Sequence, residues 1–191
     1  MRTLGNFIER SRYSQSDPLL VILLATFNGE KYLVEQLESI VSQTYSNWIV
    51  LARDDQSSDS TLDILDQYVA KFPDNFFVDR SVPKNLGAKR SFLSLMQMVS
   101  SVLTSNKSSI ENILILFSDQ DDVWDNNKLE HLVSVFVEND LTRREPLLIH
   151  TDLELIDECG RSIAPSMEQY QGLFVSYTSL LNQTISNSVT G

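Results

Sequence analysis

Apolar and polar positions along this chain fall into blocks of two different periods. "LLVILLA" (19–25) is a continuous apolar run of strand length, as in a strand buried on both faces. From Lys31 to Val41 the apolar residues Leu33, Leu37, Ile40 and Val41 recur at helical spacing. "NWIVLAR" (47–53) predicts a second strand. Thr61 to Ala70 predicts a helix with Leu62, Leu65 and Val69 inward and Ser58 or Asp59 as its N-cap. "FFVDRSV" (76–82) predicts a weaker third strand, and Ser91 to Leu103 a helix burying Phe92, Leu95, Met96, Val99 and Leu103. "NILILF" (112–117) predicts a fourth strand. Asn126 to Val137 follows as a helix with Leu129, Leu132, Val133, Phe136 and Val137 inward, and "PLLIHT" (146–151) as a fifth strand. Beyond "DECGRS" the pattern weakens, apart from a short helix expected around Tyr177 to Asn182.

Strand and helix alternate from residue 19 to 151, which predicts an α/β fold with a largely parallel sheet and right-handed crossovers. Residues 1–17 read as a polar lead-in and 18–191 as one domain. In such sheets ligands bind beyond the carboxyl ends of the strands. The chemistry-bearing residues are therefore sought just after each strand.

After the first strand comes "TFNGEKY" (26–32), which is neither a dinucleotide fingerprint nor a P-loop. It offers Thr26 and Asn28 as polar contacts and Gly29 for a tight turn; Asn-Gly is also ordinary turn chemistry. After the second comes "RDDQSSDST" (53–61). Asp54 and Asp55 are acceptor-only groups, suited to the imide N–H of uracil or thymine or to a ribose hydroxyl, or else simply solvated loop acids. "PKNLGAKRS" (83–91) puts the cations Lys89 and Arg90 at a helix start, as phosphate contacts or as a solvated basic turn.

After the fourth strand stands "SDQDDVW" (118–124), with three carboxylates in four residues. In extended chain Asp119 and Asp121 face one side and Asp122 the other. Converging hard oxygens suit Mg²⁺ or Mn²⁺ rather than zinc. These acids also suit the start of the following helix, but Asp125 and Asn126 already stand nearer to it. His150 and Asp152 follow the fifth strand with no nucleophile beside them.

Net charge narrows the ligand. At −11 with a pI near 4.5, the chain is a poor match for the phosphate backbone of a nucleic acid or for anionic lipid, so an anionic ligand would need a bridging cation. The single cysteine, Cys159, excludes an internal disulfide and a C-x-x-C zinc site. No secretory leader is legible at the start, and the apolar run 19–25 is too short to span a bilayer. Cytoplasmic residence is the expectation.

Taken together, "VILLATFNGEKYLVEQLESIVSQTYSNWIVLARDDQSSDSTLDIL", "NLGAKRSFLSLM", "SDQDDVWDNNKLEHL" and "HTDLELIDECG" resemble the family 2 glycosyltransferases of the GT-A fold, in the family's order and over residues 18–191. The D-Q-D-D form is most similar to bacterial rhamnosyltransferase-type members. The resemblance implies a Rossmann-like sheet and inverting transfer of a sugar from a UDP- or dTDP-linked donor to a glycan or lipid-linked acceptor in cell-envelope polysaccharide synthesis. Peripheral membrane association is part of that expectation. It implies that Asp54 contacts the base with Asp55 near the ribose, and that Asp119 and Asp121, supported by Asp122, hold the nucleotide and Mg²⁺ or Mn²⁺. Gln56 stands where Gly is frequent and Ser91 where Asn is common. The acceptor base is expected beyond Gly191. The chain therefore reads as a truncated donor-binding half, with a catalytically silent sugar-nucleotide-binding module as the alternative.

Overall fold

The structure is a computed structural model and describes residues 5, 8, 17–105, 113–139, 148–149, 151–157 and 159–166. Two units are distinguished, residues 1–133 and 134–191. The first holds a four-stranded sheet of β1 (Leu19–Thr26), β2 (Trp48–Asp54), β3 (Phe76–Val78) and β4 (Ile113–Ser118), in the order β3-β2-β1-β4. Every pairing in this sheet is parallel. The intervening helices are α1 (Leu33–Val41), α2 (Thr61–Lys71) and α3 (Ala88–Ser105), and α4 (Lys128–Asn139) follows β4.

The continuous apolar run of β1 has its reason in this order, because β1 is an inner strand with helices on both faces. Val21 and Leu23 pack with Ile49 and Leu51 of β2 and with Leu95 and Val99 of α3. Side chains alternate across a strand, so Leu20, Ile22 and Leu24, all fully buried, face the opposite layer. Right-handed crossovers put α1 and α2 on that layer, and they bury Leu33, Leu37, Ile40 and Leu65. The chain steps outward from β1 to β3 and then returns to β4 on the other side of β1. That reversal makes a topological switch point at the ends of β1 and β4.

Several boundaries differ from the sequence reading. β3 spans three residues rather than seven, because the chain turns away at Asp79, whose N–H reaches Ala52 O and whose carboxylate caps Ser81 N. The N-cap of α2 is Ser60, and its side chain makes no cap bond. Met96 and Val137 are exposed, each one position past a buried or half-buried neighbour and so rotated by about 100° off the inward stripe. The described residues 148–149 and 151 form no strand; His150 and the expected helix at 177–182 lie outside the described residues. The second unit carries an unforeseen antiparallel pair, β5 (Leu155–Ile156) with β6 (Ser162–Ala164). Its turn is closed by the Asp157 carboxylate, which accepts from Cys159 N and Arg161 N, and by Gly160 at φ 73°.

Candidate functional site

A cleft of about 330 Å³ opens beyond the carboxyl ends of β1, β2 and β4. The β1 end supplies Thr26 and Phe27, the β2 end Asp55, and the segment past β4 Asp119, Gln120 and Asp121. Asn85, Gly87, Ala88 and Ser91, which lead into and begin α3, close the remaining wall.

The loops after β1 and β2 are bound to each other. Asp54 accepts from Thr26 Oγ1 (3.1 Å), Ser57 N (2.9 Å) and Ser57 Oγ (2.5 Å). Asn28 Oδ1 accepts from Ser58 N (2.8 Å), while Asn28 N donates to Ser57 Oγ (2.8 Å). Gly29 N donates to Thr61 Oγ1 and Glu30 N to Asp59. Burial works against ionisation of Asp59, but bonds from the Thr61 hydroxyl and the Glu30 and Thr61 amides hold its pKa below the usual carboxylate range. Asp54 and Asn28, expected as ligand contacts, thus brace the turns and are not among the cleft-lining residues. Two residues take a left-handed backbone here, Asn28 (φ 47°) and Gln56 (φ 67°). The second explains why a glycine suits position 56. Gln56 offsets its strain by donating to Pro83 O and accepting from Asn85 N.

Asp55 is 3% exposed and is held from three sides. It accepts from Leu86 N and Gly87 N, both at 2.7 Å, and from Arg53 Nη2 at 3.4 Å. Burial raises its pKa, but the Leu86 and Gly87 amides, the Ser91 hydroxyl and the Arg53 charge outweigh it and leave the carboxyl below its ordinary value. Arg53 is itself only 1% exposed. Its guanidinium also donates to Val82 O and Lys84 O, meets the Ser91 hydroxyl, and lies 3.8 Å from buried Asp79. One buried cation therefore gathers β2, the 79–87 segment and the start of α3 against Asp55.

The β4 side is organised differently. The loop that carries the acids is fastened from behind by the polar residues of α1 and its C-terminal flank. Gln36 Nε2 donates to Ser118 Oγ (2.5 Å), Ser39 Oγ accepts from Trp124 N (3.1 Å), and Gln43 bridges Asp125 O (2.7 Å) and Leu129 N (2.9 Å). Gln120 turns to the β1 loop and pairs with both backbone groups of Phe27. Asp119 and Asp121 border the cleft, and Asp122 does not. Burial first, then the charges of Asp119 and Asp121, push Asp122 up to about 7, against an opposing pull from Lys128. Asp122 Oδ2 is buried with no hydrogen-bond partner. Lys128, 4.4 Å from the Trp124 ring centroid, is lowered to about 8 by its own burial, with Asp122 and Asp125 pulling the other way.

This donor set fits a hard divalent cation, since the ligands are carboxylate oxygens whose repulsion the protein leaves only partly relieved. Among the described residues, however, no three His, Cys, Asp or Glu side chains converge as a complete metal cage. A cation here would draw its remaining ligands from a diphosphate and water, the usual habit of Mg²⁺.

Lys89 and Arg90 are exposed on the first turn of α3 and are not among the cleft-lining residues. In the second unit, Asp152 accepts from the Ser166 hydroxyl, and Cys159 is exposed. The sequence reading passed over Arg53, Gln120, Phe27 and the set Gln36, Ser39 and Gln43. That set had a legible signal, polar residues at helical spacing of three and four beside an apolar stripe.

A family model described as Glycosyl transferase family 2 matches residues 21–142. The dTDP-rhamnosyl transferase RfbG of Shigella flexneri is 34% identical over 117 residues, which cover 61% of this chain and 37% of that protein. The UDP-Glc:alpha-D-GlcNAc-diphosphoundecaprenol beta-1,3-glucosyltransferase WfgD of Escherichia coli is 25% identical over 183 residues, 90% of this chain and 63% of that protein. The chain thus spans 37% and 63% of the length of these two curated relatives. Residues 1–349 of S. aureus TarS, solved in complex with UDP, match with a TM-score of 0.51 and 22% identity over 72% of this chain and 41% of that one. At that identity the likeness establishes the fold, the GT-A arrangement.

Proposed function

Since the chain belongs to glycosyl transferase family 2, we propose that its cleft binds a nucleotide diphosphate-sugar for transfer to a glycan or lipid-linked acceptor in cell-envelope polysaccharide synthesis, with inversion at the anomeric carbon. The observation that carries this reading is the division of the cleft between an ionised, internally anchored Asp55 on one wall and Asp119 with Asp121 on the other. Asp55 is an acceptor with three bonds already made, so what it has left suits a ligand N–H or hydroxyl, such as the imide of uracil or thymine or a ribose hydroxyl. Phe27, half exposed at the cleft, offers an apolar face to the base. The names of the relatives support a dTDP- or UDP-linked donor, and one of them a diphosphoundecaprenol-linked acceptor.

Asp119 and Asp121 are the residues that would hold Mg²⁺ or Mn²⁺ at the diphosphate. When bound, such an ion neutralises charge that builds on a departing diphosphate. The chain's own share is to fix those two carboxylates on a loop braced by Gln36, Ser39 and Gln43, across the cleft from the start of α3. Lys89 and Arg90, on the exposed first turn of that helix, would meet outer phosphate oxygens. Donor chemistry of this kind belongs on the cytoplasmic side of a membrane. Among the described residues no helix is long and apolar enough to cross one.

Calorimetric titration of UDP, dTDP and GDP with Mn²⁺ present and absent tests the reading. Binding of UDP or dTDP that needs Mn²⁺ is the expected result; no binding of any nucleotide would refute it. Adding acceptor and following nucleotide release separates a transferase from a silent sugar-nucleotide-binding module.

A further inference from the structure

Gln120 lies between two acids of the cleft, yet its side chain is committed to neither. Its Oε1 accepts from Phe27 N at 2.8 Å, and its Nε2 donates to Phe27 O at 3.1 Å. A primary amide has one acceptor and one donor edge in fixed geometry and pairs with a peptide unit as a neighbouring strand would. The bond joins the β1 loop to the β4 loop just past the point where strand pairing between β1 and β4 stops, at Leu24 and Ser118. A glutamate here would keep the acceptor and lose the donor, and would add a fourth negative charge to residues 119–122.

Gly29 supplies an independent observation. A Cβ added at residue 29 would stand 2.6 Å from Gln120 Cδ, inside any real contact. No left-handed backbone angle requires the glycine there, so space for this amide is what it provides. Gly87 is the opposite case, with a φ of 77° and open space around it.

We propose that Gln120 is a positioning residue that locks the two rims of the cleft together, holding Phe27 on one rim in register with Asp119 and Asp121 on the other. Gly29 is small because the amide lies against it. The consequence for ligand binding rests on the donor reading above, whereas the lock itself does not. With the lock intact, base-side and diphosphate-side contacts are presented together and little ordering is left for the ligand to impose.

The lock is read directly by amide hydrogen exchange in the full chain, followed by NMR. Phe27 N–H is on a half-exposed residue and is protected by Gln120. In Gln120→Ala its exchange should quicken roughly tenfold or more, with Val21 and Leu23 of β1 unchanged. Gln120→Glu, which keeps the acceptor, should retain part of the protection. Equal Phe27 exchange in the wild type and Gln120→Ala overturns the proposal. A double-mutant cycle reads the consequence as affinity for UDP or dTDP with Mn²⁺. Gly29→Ala and Gln120→Ala should each weaken it roughly tenfold, and the double variant should be no weaker than Gln120→Ala alone. Multiplying losses would overturn the link between the two positions. A wild type that binds neither nucleotide refutes the donor reading, and the exchange arm still decides the lock.

Discussion

Asp54 and Asp55 close β2, and Asp121 and Asp122 follow β4, the same residue pair on either side of β1. Their surroundings differ. Around the first pair the protein supplies hydroxyls, amides and a buried guanidinium, and Asp55 is held ionised. Around the second pair Asp122 has an unpartnered buried oxygen, and its neighbours drive its pKa up. The bracing groups of α1 reach the backbone and Ser118 of that loop rather than the acids themselves. The first pair is tied into the scaffold, with Asp55 still bordering the cleft; of the second, Asp121 borders the cleft on a loop that the scaffold braces from behind. Adjacent acids at a strand end therefore have no fixed meaning, and what decides is which donors the rest of the chain turns toward them.

The largest effect on this contrast should come from Arg53→Leu. It strands Asp55 and Asp79, both at most 5% exposed, without their cation. Breaking such a buried pair costs about 3–5 kcal/mol, so urea unfolding should show a midpoint far below wild type. An unchanged midpoint would mean that the Asp54–Asp55 side does not depend on its internal partners.

Asp55→Asn is the next test. A depressed folded-state pKa contributes stability that is complete above the unfolded-state value of about 3.9 and is lost as pH falls through the lower folded value. Wild type should therefore lose stability through that acid window, and Asp55→Asn should show a shallower slope in thermal melts recorded there. Parallel slopes would remove Asp55 from the ionised scaffold. The smallest effect should be that of Ser57→Ala, which deletes the hydroxyl bonding Asp54 and Asn28 N on the surface. A loss of about 1 kcal/mol is expected, measurable as a drop of a few degrees in melting temperature.

The sheet was legible because β1, β2 and β4 are apolar runs and their crossovers have one permitted hand. The acids were legible as a group, since each follows a strand. Their division of labour was not. It depends on Ser57, Ser91 and Arg53, whose partners lie 2 to 38 positions away in the chain and are set by tertiary structure. Arg53 in particular looks like the solvated end of "NWIVLAR", yet it is the most deeply buried charge of the site. The β5–β6 hairpin was missed because two- and three-residue strands leave no period to read. Its one signal was the Asp157–Gly160 turn.

The division between Asp54 as a scaffold acid and Asp121 as a ligand acid is tested most directly by Asp121→Ala, measured calorimetrically with UDP or dTDP at fixed Mn²⁺ alongside Asp54→Ala. Asp121→Ala should retain or exceed the wild-type melting temperature, because it removes one source of repulsion on Asp122, and should lose Mn²⁺-dependent binding by about a hundredfold or more. Asp54→Ala should melt earlier and, once folded, still bind. An Asp121→Ala chain that binds the nucleotide with wild-type affinity in Mn²⁺ would contradict the assignment.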